Sequence, residues 1–138
     1  MRDAVYRREI RVEMNHCDPA GIVFYPRYIE MASAVTESFF HDILDSSYAA
    51  MMAEGRGIPT AALQASYLRP SRLGEMLDWR LWPERLGRSS LALRIEAHGP
   101  GEHRFTLEKT VVFAGFPGGP EPWPDPLRQQ LAALLPPV

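Results

Sequence analysis

The chain has 138 residues, 46% hydrophobic and 23% charged, with a formal charge of −2. That size and balance suit one soluble domain with one core, and give no support to a general nucleic-acid or membrane-surface role. A single cysteine rules out an internal disulfide, no apolar run nears the roughly 20 residues that span a bilayer, and MRDAVYRREIRVEM makes no signal-peptide core, so the expected setting is the cytoplasm.

From Tyr6 to Met14 the pattern has period two, with Tyr6, Ile10, Val12 and Met14 on one face and Arg7, Glu9, Arg11 and Glu13 on the other. That is a half-buried strand, with Arg8 as its exception. From about Pro26 to Leu44, Tyr28, Ala32, Val35, Phe39 and Ile43 recur every three or four residues. Ile29, Met31 and Phe40 widen this stripe, which predicts a helix of about 28 Å covered on more than one side. A shorter helix, about Ser47 to Glu54, ends at Gly55-Arg56-Gly57.

Four strands follow: Thr60–Leu68, Glu75–Pro83, Arg88–His98 and His103–Ala114. The second sets Leu77, Trp79 and Leu81 against Asp78 and Arg80, and the third sets Leu91, Leu93, Ile95 and Ala97 against Arg94, Glu96 and His98. In the fourth, Phe105, Leu107, Val111 and Phe113 alternate with Arg104, Thr106, Glu108 and Thr110. Gly99-Pro100-Gly101 marks a tight turn, and short connections imply antiparallel neighbours. Residues 116–138 form a Pro/Gly-rich tail, with Asp125 as N-cap and Pro126 as first residue of a short helix striped by Leu127, Leu131, Leu134 and Leu135. Trp123 is placed to pin this tail to the sheet, and Trp79, Trp82, Phe39 and Phe40 are expected in the core. The expected class is α+β, a long helix wrapped by a curved antiparallel sheet.

The chemistry concentrates in HCDPAGIVFYPRY, residues 16–28. Three consecutive side chains point different ways, so His16, Cys17 and Asp18 do not make a triad. Cys17 reads as a small packing residue, His16 as a hydrogen-bonding loop residue, and His16, His41, His98 and His103 show no metal-ligand spacing; no metal is expected. Asp18 before Pro19 suits a cap on free N–H groups. It also lies just upstream of a helix start, where Gly21 permits a positive φ and Pro26 fits the first turn. Free amides and the positive end of the helix dipole at such a start can hold a developing oxyanion, and a nearby carboxylate can attack a carbonyl or activate water.

DPAGIVFYPRY, with the long helix and four strands after it, resembles the 4-hydroxybenzoyl-CoA thioesterase family of hotdog-fold proteins. The core D-x-A-G-[IV]-V-[FY] before P-x-Y is its specific part; GIPTAALQASYLRP and LGRSSLALRIEA also look like family segments. The resemblance spans roughly residues 5–115. It implies hydrolysis of acyl-CoA thioesters without a cofactor. Asp18 would be the catalytic carboxylate, as nucleophile or general base, and Tyr25 would act through its backbone N–H. Some relatives carry a catalytic histidine where Tyr25 stands; tyrosine matches the aryl-CoA branch. Gly21, Ile22, Val23 and Phe24 would line the substrate site. Arg88 and Ser89 would face the CoA phosphates, although the paired basic residues of some relatives are absent at this turn. The resemblance also implies a homodimer or homotetramer with its site between protomers. A non-catalytic acyl-CoA or acyl-carrier binding module and a hotdog dehydratase are the alternatives. The intact Asp18 speaks against the first, and the lack of a histidine partner at the helix start against the second.

Overall fold

The computed structural model describes residues 2–137; residues 1 and 138 of the expected domain lie outside the described residues. In chain order the elements are β1 (Tyr6–Arg11), a 3-10 turn (Met14–His16), α1 (Tyr25–Asp42), α2 (Tyr48–Ala53), β2 (Arg56–Gly57), β3 (Thr60–Tyr67), β4 (Met76–Leu86), β5 (Ser90–Gly99), β6 (Glu102–Val112), β7 (Ala114–Gly115) and α3 (Asp125–Ala133). Five strands form one antiparallel sheet in the order β1-β4-β5-β6-β3, and β2 pairs with β7 in a small separate ladder. No helix among the described residues is long and apolar enough to cross a membrane.

The helix α1 forms where the stripe predicts it, except that it ends at Asp42, and Ile43, the last residue of the stripe, is exposed at its C-cap. Tyr28, Met31, Ala32, Val35, Phe39 and Phe40 are buried, and they meet Leu77, Trp79, Leu81, Leu93, Ile95, Phe105 and Leu107 from the inner face of the sheet in one apolar cluster. Fully burying side chains of this size contributes roughly 1.5–3 kcal/mol each. Thr36 is buried too, and its hydroxyl donates back to the Ala32 carbonyl at 2.9 Å. The exception on the inner face of β6 is Lys109, opposite Leu63 of β3 and Leu93 of β5; burial pulls its ammonium pKa down to about 8.

In the strands, expectations at three residues need correction. Met14 does not share the buried face: β1 stops at Arg11, the chain turns through Met14–His16, and Met14 is 74% exposed. Glu96 lies on the outer face as expected, yet it is buried, because Arg94 and His98 bond it and His103 stands beside it. Arg104 does not join the solvated polar row. Ala97 pairs with Phe105 and His98 with His103, so Arg104 is the extra residue of a bulge, and its side chain is buried.

The tail is fastened as expected. Trp123 is buried against Phe113 and Phe40, with ring centroids 5.3 and 6.4 Å away, and its indole N–H donates to the Ser90 carbonyl at 3.0 Å. Asp125 is the first residue of α3 rather than its cap; Pro124 takes the cap position. Leu127 and Leu131 are buried. Trp123→Ala is expected to lower stability by about 3–5 kcal/mol in urea unfolding, the usual cost of emptying an aromatic site.

Candidate active site

Residues 17–24 form a small folded loop. Cys17 and Val23 bridge, the Asp18 N–H donates to the Ile22 carbonyl at 3.0 Å, and the Gly21 N–H donates to the Asp18 carbonyl at 3.0 Å. Gly21 has φ +78°, so a left-handed residue closes the turn; a Cβ there meets no atom within 4 Å, and conformation rather than space calls for glycine. The Asp18 carboxylate is half-buried. Its Oδ1 accepts the Ala20 N–H at 2.9 Å, an Asx turn, and Oδ2 has no partner among the described residues. Asp18 thus caps its own turn and keeps an oxygen free.

The next bonds set the helix start. The Phe24 N–H donates to the His16 carbonyl at 2.9 Å, Phe24 takes the N-cap position without a side-chain cap, and Pro26 sits in the first turn. Tyr25, the first helical residue, has no hydrogen bond from its N–H among the described residues. Its carbonyl accepts the Tyr67 hydroxyl at 3.0 Å, which ties the helix start to the end of β3. Beside it lies a cleft of about 310 Å³ lined by Val23, Tyr25, Tyr28, Tyr67, Leu68, Arg69 and Pro70. Tyr28 stacks on Phe105 at 4.9 Å, and burial raises its pKa. A larger hollow of about 560 Å³ lies over Gln64, Arg85, Arg94 and Glu108. By register these belong to the outer face of the sheet, away from α1, so the smaller cleft is the candidate site.

A buried clamp holds the loop. The Arg104 guanidinium donates to both Glu75 oxygens at 2.9 and 3.0 Å, to the Pro70 carbonyl at 2.9 Å and to the Ser71 hydroxyl at 3.2 Å. Glu75 Oε1 also accepts the Arg72 N–H at 2.7 Å. The segment so fixed reaches the Asp18 loop directly: the Val23 N–H donates to the Ser71 carbonyl at 2.9 Å, and the Leu73 N–H to the Gly21 carbonyl at 3.0 Å. The Arg104 hydrogen bonds hold the Glu75 carboxyl down at about 2.

Asp18, Gly21, Ile22, Val23, Phe24 and Tyr25 therefore share one folded loop and helix start. Val23 is buried, Gly21 and Ile22 are half-buried, and Phe24 and Tyr25 are exposed with rings edge-to-face at 5.3 Å. Arg88 and Ser89 are not with them. They sit in the β4–β5 turn, near Thr60 and Val111, whereas the loop sits near Tyr67 and Phe105 at the other end of β3 and β6. His16 and Cys17 are supporting residues. His16 Nδ1 accepts the Glu13 N–H at 2.9 Å, and burial pushes the Cys17 thiol up, which leaves it a poor nucleophile. Sequence reasoning missed Tyr67, Ser71, Glu75 and Arg104. Only Tyr67 carried a signal, as an aromatic at the end of a strand aimed at the helix start.

The model of the thioesterase superfamily matches residues 20–105. The chain belongs to this family. No curated protein matches it significantly in sequence. Solved structures do match in fold. A gentisyl-coenzyme A thioesterase is 21% identical, with TM-score 0.85 over 91% of this chain and 99% of its own. A 1,4-dihydroxy-2-naphthoyl-CoA thioesterase from Synechocystis is 16% identical, with TM-score 0.85 over 94% and 96%. A Staphylococcus aureus protein in complex with CoA is 16% identical, with TM-score 0.88 over 100% and 90%. The thioesterase-superfamily chain thus has the hotdog fold, a long helix against a five-stranded antiparallel sheet.

Glu75 supplies a pH test of the clamp. A carboxyl whose folded pKa is depressed contributes stability present above its unfolded value of about 4.5 and lost as pH falls toward about 2. Acid titration followed by circular dichroism is expected to show this loss between about pH 4.5 and 2. Glu75→Gln removes that pH dependence and lowers stability at neutral pH, because the buried Arg104 loses its bidentate partner and keeps only Glu102, 3.0 Å from its Nε, as counter-ion.

Proposed function

We propose that the protein hydrolyses acyl-CoA thioesters, with aryl-CoA as the preferred class. One observation carries this reading: a carboxylate with a free oxygen and a helix-start N–H without a partner occur on the same clamped loop. The Tyr25 N–H would donate to the thioester oxygen as negative charge builds there. The Asp18 carboxylate would attack the carbonyl carbon and expel the CoA thiolate, giving a mixed anhydride that water cleaves. By the other route Asp18 takes a proton from water, the hydroxide attacks, and the thiolate leaves with a proton. Either route yields free acid and CoA and needs no cofactor.

The tyrosine-lined cleft favours flat aromatic acyl groups, which stack on such rings. Two structures of the same fold are thioesterases for aromatic acyl-CoA, and a third binds CoA. Arg88 fits the reading through assembly. The strand β3 has one free edge and exposed side chains along most of its length. Antiparallel pairing of β3 with its copy would swap ends, and so carry Arg88 of one chain toward the Asp18 loop of the other.

Thiol release, followed colorimetrically on benzoyl-, 4-hydroxybenzoyl-, phenylacetyl-, acetyl-, hexanoyl- and palmitoyl-CoA, tests this. Turnover is expected to be fastest on an aryl member. Asp18→Asn is expected to cut kcat at least about a hundredfold with the fold intact, while Tyr25→Phe, which keeps the N–H, stays within about threefold. Retained activity in D18N would remove Asp18 from the chemistry; binding without turnover by the wild type would make the protein an acyl-CoA binding module. Arg88→Ala is expected to raise KM about tenfold with kcat little changed, the signature of lost ground-state phosphate binding. An unchanged KM would take Arg88 out of the site.

A further inference from the structure

The outer face of the sheet carries a cluster that the thioester chemistry does not use. Glu96 and His98 stand two residues apart on β5, so they share a face. His103 is the register partner of His98 across the β5–β6 hairpin. The two imidazoles lie parallel, with centroids 4.4 Å apart. Both Nε2 atoms address one carboxylate oxygen: Glu96 Oε1 is 2.8 Å from His98 Nε2 and 3.6 Å from His103 Nε2. All three donor atoms fall within 4.8 Å of one another, the sole such group of three among the described residues.

We infer that Glu96, His98 and His103 form a binding site for a divalent transition-metal ion of the zinc class. Bonds of about 2.0–2.1 Å in a tetrahedral centre put neighbouring donor atoms roughly 3.3 Å apart, and the separations of 2.8 and 3.6 Å bracket that value. Two imidazole nitrogens and one carboxylate oxygen are a zinc donor set with a fourth position left for water. The carboxylate is already oriented, since the Arg94 Nε donates to Glu96 Oε2 at 2.7 Å and leaves Oε1 for the ion. Arg94 also contacts Glu108 at 3.2 Å, and in register beside the site Asp78 stands next to His98 and Arg80 next to Glu96, so the outer face around it carries charges of both signs. His98 and His103 are each partly exposed, which gives the ion a way in. Binding exchanges contacts: His103 Nε2 leaves the Thr106 hydroxyl at 2.8 Å and the Phe105 carbonyl at 3.1 Å, and each ligating ring carries its proton on Nδ1. The ring planes must turn modestly to aim both nitrogens at one point.

The test uses the full chain, free of any affinity tag and stripped with a chelator. Co²⁺ is titrated by visible absorption, then displaced by Zn²⁺, with Zn²⁺ binding also measured by calorimetry. One ion per chain is expected. The His98→Ala/His103→Ala double variant should lose at least about a hundredfold in affinity, since even an outer-shell partner is worth 10–100-fold. His16→Ala/His41→Ala should bind as the wild type does. Zn²⁺ should raise the melting temperature of the wild type and not of H98A/H103A, and circular dichroism establishes that this variant is folded. His103→Gln, a partly exposed single change, provides a second folded variant with the same expected loss. Failure of the folded wild type to take up either metal overturns the inference, as does affinity unchanged in H98A/H103A or H103Q. The outcome is independent of thioesterase turnover.

Discussion

An 18-residue helix with apolar side chains on a broad face cannot stand alone in water, and the rest of the fold follows from covering α1. The sheet supplies the cover with the inward residues of β4, β5 and β6, closely packed around Phe39, Phe40 and Val35. A helix held in this way has a fixed axis, so its first turn emerges at one defined place, beside the end of β3. The burial of α1 therefore does more than stabilise. It fixes the helix start, with the unpaired Tyr25 N–H, beside the tyrosine-lined cleft.

Helix placement alone does not fix the Asp18 loop, which carries small residues and a left-handed glycine. The constraint on it is polar. Arg104 gathers Glu75, Ser71 and Pro70, and the backbone of that segment grips Gly21 and Val23. A buried ion pair of this kind is a poor source of net stability, since desolvation offsets the attraction. Its worth here is geometric. Two anchoring hydrogen bonds run into the loop from a segment that is itself held by a bidentate fork, which leaves the Asp18 carboxylate little freedom to drift.

Much of this was legible in the sequence. The α1 stripe of Tyr28, Ala32, Val35 and Phe39 and the alternation in β4 and β5 located the helix and the inner face, because burial there follows simple periods. The loop was legible through local chemistry at Asp18, Gly21 and Pro26, and through family likeness. What could not be read depends on contacts between residues far apart in the chain. Glu75 and Arg104 look like ordinary solvated charges in their own strands, and their pairing spans 29 positions. Glu96, His98 and His103 match no helical ligand spacing because two of them meet across a turn. Met14 failed for a different reason: period two continues in the letters after the backbone has left the strand.

The bulge in β6 links these hidden features. Along β6 the inward residues are Phe105, Leu107, Lys109 and Val111, and in an unbroken alternation His103 would point inward with them. Inserting Arg104 shifts the phase of everything before it by one. His103 is thereby turned outward to lie on His98, while Arg104, freed from the ladder, is available to Glu75. Flattening this bulge into a regular strand of the same sequence would put Arg104 in the ladder opposite His98 and act as a frame error in space rather than in code. It would swing an imidazole into the apolar interior and remove the clamp in the same step, although neither strand lost its overall pattern.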